Sequence, residues 1–72
     1  MKLFINGEER EFGALTVLSD LIGQLGLKPD RVAVELNRDL ISRDRWTKTP
    51  LSEGDRLEIV HFVGGGTDRR RG

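Results

Sequence analysis

The sequence predicts an α+β domain in which one main helix packs on one face of a mixed sheet of four or five strands. Three observations lead there. Apolar and polar residues alternate in three separate stretches, 2–6, 31–37 and 56–62, which is the period of a strand with one face buried. Between the first two lies a single apolar stripe at helical spacing, Val17, Leu18, Leu21, Ile22 and Leu25. A chain of 72 residues also has room for only one thin core, because domains near this size bury about 60% of their unfolded surface.

Lys2–Asn6 opens the chain as a strand with Leu3 and Ile5 on one face and Phe4 on the other. Asn6-Gly7 follows it, and both residues tolerate the positive φ that a two-residue hairpin turn requires. A returning strand is expected over Arg10–Ala14, with Phe12 pointing inward. Thr16 is placed to cap a helix over Val17–Leu25, with Asp20 in its first turn against the positive end of the helix dipole. Gly26 suits the left-handed position after the last turn, and Pro29 blocks continuation. Arg31–Asn37 alternates with Val32, Val34 and Leu36 inward; Asn37-Arg38-Asp39 turns the chain into a short edge strand at Leu40-Ile41. Ser42–Trp46 reads as a helical turn anchored by the indole, which would cover a minor core, and Ser52–Asp55 reads as a turn. Arg56–Phe62 is the last strand, with Leu57 and Ile59 facing the helix and Glu58, Val60 and Phe62 facing water. Hairpin, helix, two strands and a final strand, with one sheet face left wet, form the β-grasp arrangement.

Composition removes several classes of function. Without Cys and with one His, the chain cannot build a disulfide framework or a thiolate metal site. Small secreted domains usually depend on disulfides, so a cytoplasmic location is expected. No apolar run approaches the roughly 20 residues of a membrane span. Twelve basic and twelve acidic residues balance to zero, which gives no general attraction to nucleic acid or membrane. Residues 67–72 hold three Arg and one Asp, so the remainder is mildly acidic, with nine basic and eleven acidic residues. No nucleophile and base, and no pair of carboxylates, share a spacing that suits catalysis. His61 falls on the inward side of the last strand and is expected to be a partly buried structural residue.

The chemistry-bearing feature is Val63-Gly64-Gly65-Gly66, directly after the final strand. Three glycines contribute no packing and cost conformational entropy. They form either a flexible linker to a tail or a terminus that must enter another protein's active site, where any Cβ would clash. Fully extended, residues 63–66 reach roughly 13 Å, at about 3.3 Å per residue. No Lys-Ser/Thr or helix follows, which excludes a P-loop.

Over residues 1–66 the sequence resembles the ThiS-type sulfur carriers, which are bacterial ubiquitin-like proteins. The resemblance is carried by Asn6-Gly7, by Leu15-Thr16-Val17 opening the helix, and by Val32-Ala33-Val34-Glu35-Leu36-Asn37. Ser42-Arg43-Asp44-Arg45-Trp46, Glu53-Gly54-Asp55 and, above all, Leu57 to Gly66 extend it. The small subunit of molybdopterin synthase shares the fold and a diglycine end, but its relatives commonly carry Pro before that end and this chain does not.

The resemblance implies that the protein is a substrate of other enzymes, not an enzyme, and binds no cofactor itself. An E1-like adenylyltransferase of the ThiF type would use ATP to adenylate the carboxylate of Gly66, and a sulfur donor would convert it to a thiocarboxylate. That group would deliver sulfur to a thiazole synthase of the ThiG type in thiamine biosynthesis. Gly64 and Gly65 would give passage without side-chain clash. Members of that family usually end at the glycines, whereas this chain continues Thr67-Asp68-Arg69-Arg70-Arg71-Gly72. An amide between Gly66 and Thr67 has no free carboxylate. Either a protease, of the JAMM metalloprotease type, cuts between Gly66 and Thr67, or the six residues are not native to the chain, or the chain has another role. The expected organisation is a β-grasp domain over 1–63, a glycine terminus over 64–66 and an extension over 67–72. Carriage of sulfur to a methionine-related or molybdopterin pathway, and a β-grasp interaction module without acyl transfer, are the alternatives. Phe4, Val60 and Phe62 fall on the outer sheet face and would form one apolar docking patch if the first and last strands are neighbours. The free protein is expected to be a monomer.

Overall fold

The computed structural model describes residues 1–62, and their five strands and one α-helix form the expected β-grasp. β1 (Lys2–Ile5) and β2 (Glu8–Glu11) make the first hairpin, followed by α1 (Leu18–Gln24), β3 (Val32–Leu36), β4 (Asp39–Ile41) and β5 (Arg56–His61). The sheet order is β2-β1-β5-β3-β4. β5 is central, parallel to β1 and antiparallel to β3, while the two hairpin pairs are antiparallel. Two 3₁₀ turns, Pro29–Arg31 and Arg43–Lys48, occupy the connections.

Both hairpins close through two-residue turns of left-handed backbone. Asn6 and Gly7 have φ of 52° and 85°, and Asn37 and Arg38 have φ of 51° and 75°. The first turn pairs Ile5 with Glu8, so the returning strand begins at once. It spans Glu8–Glu11 and not Arg10–Ala14, and all four of its residues are exposed. Phe12 lies just beyond it and packs partly buried against the core.

The start of α1 also differs from expectation. Val17, not Thr16, precedes the first helical residue, and no side chain caps from that position. Instead the Asp20 carboxylate reaches back and accepts the backbone N–H groups of Thr16 and Val17 at 3.0 and 3.1 Å. These two donors hold its pKa below the usual 3.8, with Val17 contributing most. At the other end Gly26 takes φ of 70°. Its N–H donates to the Gly23 carbonyl at 3.1 Å, and the Leu27 N–H to Ile22 at 3.2 Å, the pair of bonds that closes a Schellman cap.

Leu18, Leu21 and Ile22 of α1 pack on Leu3, Ile5, Val32, Val34, Leu36 and Leu57 of the sheet. No polar or charged side chain is buried among the described residues. Trp46 belongs to this same core and does not cover a separate one: it is 3% exposed, and its indole N–H donates to the Ile41 carbonyl at 3.0 Å. The segment 49–51 runs beside the helix entrance, joined to it by an isolated bridge between Val17 and Pro50; the Leu18 N–H donates to Thr49 at 2.8 Å and the Leu51 N–H to Thr16 at 3.0 Å. With α1 and these turns on one side, the opposite sheet face is open.

Candidate functional site

The candidate site is the open sheet face together with the C-terminal end of β5, because β5 leads directly to the glycine run. β5 is fixed by its neighbours on alternate residues. Arg56 accepts from the Asn37 N–H at 2.7 Å and Phe62 donates to Arg31 at 2.8 Å, both on the β3 side. Leu57 accepts from the Asn6 N–H at 2.9 Å on the β1 side. There β1 ends, and the Asn6 side chain takes over: its Oδ1 accepts the Ile59 N–H at 2.8 Å and its Nδ2 donates to the Ile59 carbonyl at 3.2 Å. One side-chain amide thus imitates the next peptide of a strand that has already turned away.

Asn37 performs the matching task at the start of β5. Its Oδ1 accepts the Arg56 N–H at 3.0 Å while its Nδ2 donates to Asp55 Oδ1 at 3.0 Å. Asp55 in turn accepts the Ser52 N–H at 2.8 Å through Oδ2, which closes the turn that feeds β5. The sequence marked both asparagines as turn residues; their side-chain role escaped it, although an Asn at the first position of a two-residue turn is the signal that could have suggested it.

On the open face, Val60 and Phe62 are 57% and 52% exposed, as the alternation of β5 requires. Phe4 shares the face but not the patch. It pairs with Arg56, four residues before Val60, and the Arg56 guanidinium stands 4.5 Å above its ring. The expected single patch is therefore two: a half-buried Phe4 under Arg56 at one end, and Val60 with Phe62 at the other. Leu40 of β4, 72% exposed, joins the second group across a shallow groove that also includes Ala33, Glu35 and Glu58. Leu40 was readable only as half of a two-residue edge strand with no visible face. Glu35 and Glu58 are directly paired across β3 and β5, and neither forms an ion pair among the described residues. Like charges so placed weaken a sheet slightly.

His61 is exposed and not partly buried, because β1 stops before reaching it. Among the described residues, no group of three or more His, Cys, Asp or Glu side chains is placed to hold a metal ion. No described helix is long and apolar enough to cross a membrane. Gly64, Gly65, Gly66 and Thr67, with the boundaries expected at 63/64 and 66/67, lie outside the described residues.

A five-stranded mixed sheet with parallel first and last strands and one covering helix defines a ubiquitin-like β-grasp domain. The chain belongs to the ThiS family, whose profile matches residues 3–66. It is 37% identical to the sulfur carrier protein ThiS of Bacillus subtilis over 65 residues, which cover 89% of this chain and 98% of that protein. It is 45% identical to a thiazole synthase of Paramagnetospirillum magneticum over 69 residues, 96% of this chain but 21% of the relative. The chain thus spans about a fifth of that relative's length, and a similar share of a second thiazole synthase, from Magnetococcus marinus. The crystal structure of a thiamine biosynthesis protein (ThiS) from Geobacter metallireducens superposes with a TM-score of 0.78 at 29% identity, covering 92% of this chain and all of that one.

Proposed function

We propose that this chain is a sulfur carrier of thiamine biosynthesis, a protein substrate and not an enzyme, whose reacting group is the carboxylate of Gly66. The observation that carries the reading is that the family match runs through Gly64 and Gly65 and ends at Gly66. The body, residues 1–63, presents the end; residues 64–66 enter the partner; residues 67–72 are removed by cleavage between Gly66 and Thr67, by a protease of the JAMM type. An E1-like adenylyltransferase of the ThiF type joins the freed carboxylate to the α-phosphate of ATP and releases pyrophosphate. Adenylation supplies the leaving group that a carboxylate lacks. A sulfide-equivalent nucleophile then displaces AMP and leaves a thiocarboxylate. The chain itself holds no cofactor, and ATP belongs to the partner.

The two thiazole synthases that contain a matching stretch support thiazole formation as the destination of the sulfur, with a ThiG-type synthase as acceptor. Val60, Phe62 and Leu40 form the docking surface nearest the glycine end, and Phe4 with Arg56 forms a second contact on the same face. Carrier duty is consistent with a cytoplasmic monomer that moves between enzymes and makes modest, reversible contacts.

The test is mass spectrometry of the protein purified from its native cell and of the chain ending at Gly66 after incubation with ATP, the E1-like enzyme and a sulfur donor. A chain ending at Gly66 with the mass increase of sulfur replacing oxygen is expected in both. AMP-linked protein should form on the shortened chain and not on the 72-residue chain. Native protein stably ending at Gly72, with no acyl-adenylate on either form, would mean a β-grasp interaction module instead.

A further inference from the structure

Because β5 outlasts β1, it carries an uncovered stretch of sheet edge immediately before the glycine run. Even-numbered residues of β5 turn their peptide groups toward β3, as the Asn37–Arg56 and Phe62–Arg31 bonds show. Odd-numbered residues turn theirs toward β1: Leu57 meets the Asn6 N–H, and Ile59 meets the Asn6 side chain. His61 comes next in that series. Its N–H and carbonyl point into the place β1 would occupy had the chain not turned at Asn6-Gly7, and among the described residues nothing bonds to them. Uncovered edges of this kind are templates for another strand.

The surroundings define what would fill the space. On the helix side of the edge lies a hollow of about 280 Å³ lined by the apolar Ile5, Leu25, Leu27 and Ile59 and by the polar Asn6, Arg10 and His61. On the other side stand the exposed Val60 and Phe62. A strand laid along the edge sends successive side chains to opposite faces, so one would enter the hollow and the next would cover Val60 and Phe62. The outer environment is apolar, whereas the hollow combines apolar walls with the polar groups of Asn6, Arg10 and His61.

We infer that the notch beside His61 binds an extended segment of the enzyme that activates Gly66, held by main-chain hydrogen bonds to His61, by an apolar side chain over Val60 and Phe62, and by a neighbouring side chain in the mixed hollow. The inference rests on the carrier reading, since it specifies how that enzyme engages the strand leading to the reactive end. Strand addition supplies affinity through the backbone and selectivity through alternate side-chain sites. It also continues the direction of β5, so the enzyme would capture the root of the terminus as it receives the tip.

Amide hydrogen exchange, residue by residue, tests this on the full chain and on the chain ending at Gly66, each with and without the E1-like enzyme and ATP. The His61 amide should exchange rapidly in the free protein and slow at least tenfold in the complex. His61→Pro removes the N–H and fills the notch without breaking any bond to β3, because His61 faces Val32 in a pair that exchanges none. It should lower affinity for the enzyme about tenfold, the loss expected for one main-chain hydrogen bond and its neighbouring contacts. If that variant fails to fold, an amide-to-ester replacement at His61 in the chemically synthesised chain reads the same bond. A complex in which Val60 and Phe62 are covered while the His61 amide still exchanges freely would overturn the inference. So would protection of His61 that appears with rising protein concentration alone, which would place a second copy in the notch. Thiocarboxylate formation, followed in parallel, reports on the carrier reading separately: its success beside an unprotected His61 sinks the edge and leaves the carrier standing.

Discussion

Replacing Asn6 separates what its backbone does from what its side chain does. The side chain makes two hydrogen bonds to Ile59, at 2.8 and 3.2 Å, and the backbone sits at φ of 52°. Asn6→Gly keeps the left-handed turn and loses only the side-chain bonds. Each is worth roughly 0.5–1.5 kcal/mol net, and because the site is exposed, where water replaces a lost partner, the low end applies. The sum is about 1 kcal/mol, which for a domain of this size lowers Tm by about 4–8 °C. Asn6→Ala loses the same bonds and adds the strain of a Cβ in left-handed backbone, about 1–2 kcal/mol more, so its Tm should fall at least twice as far. Thermal melts followed by circular dichroism give both values, and amide exchange at Ile59 shows whether the loss is local. The Ile59 amide should exchange faster in both variants, while that of Val60, bonded to β3, should change only with global stability. An Asn6→Gly protein melting within about a degree of the parent, with Ile59 exchange unchanged, would refute the idea that this amide substitutes for a strand.

Three further predictions draw on other parts of the chain. Arg38 holds φ of 75° in the second hairpin turn, an arrangement that a Cβ resists; Arg38→Gly should raise Tm by a few degrees, and a lower Tm would mean that the arginine contributes more than its strain costs. The Asp20 carboxyl has a lowered pKa in the folded protein, so the stability it adds is complete above its unfolded pKa and disappears as pH falls through the folded one. The gap in Tm between the parent and Asp20→Ala should therefore be widest near neutral pH and narrow below the usual 3.8; a gap constant down to acid pH would contradict this. Phe62→Asp should weaken enzyme docking with little change in Tm because Phe62 is 52% exposed, and unfolding of that variant would show that the residue is structural.

Legibility in the sequence followed the range of the interactions. Asn6-Gly7, the inward set Val32, Val34 and Leu36, and Gly26 after the helix are fixed by neighbours a few positions away, and the structure has each as read. β2 escaped because Glu8–Glu11 is charged throughout and exposed on both faces, which leaves no alternation to detect; its position is dictated by the turn, and a two-residue loop gives the returning strand no slack. The helix start was read one residue early because Thr16 looks like a cap, whereas Asp20 supplies the bonds from inside the helix. The division of the outer apolar residues into two groups depends on the parallel register of β1 on β5, Phe4 against Arg56. About fifty residues separate those partners, and no local pattern encodes their offset. His61 failed for the same reason: alternation gives its face, but only the length of β1 decides whether anything covers it.

The two asparagines suggest why the central strand is built as it is. On the proposed carrier reading, the root of the terminus must be held in a fixed direction while an edge beside it stays uncovered, and a neighbouring strand that continued alongside β5 would cover that edge. Asn6 resolves that conflict by fastening Ile59 with a side chain short enough to end there, two residues before β5 stops at His61. On the opposite side the β3 ladder continues to His61, and the Phe62 N–H still reaches Arg31. The end of β5 is therefore secured along one edge and open along the other. A longer β1 would add backbone bonds and stability, yet it would close the notch in which we infer that a partner strand binds. The stability given up is small, because one amide replaces the bonds missing at Ile59, and the surface gained lies just before the glycine run to which the proposed carrier reading assigns the chemistry.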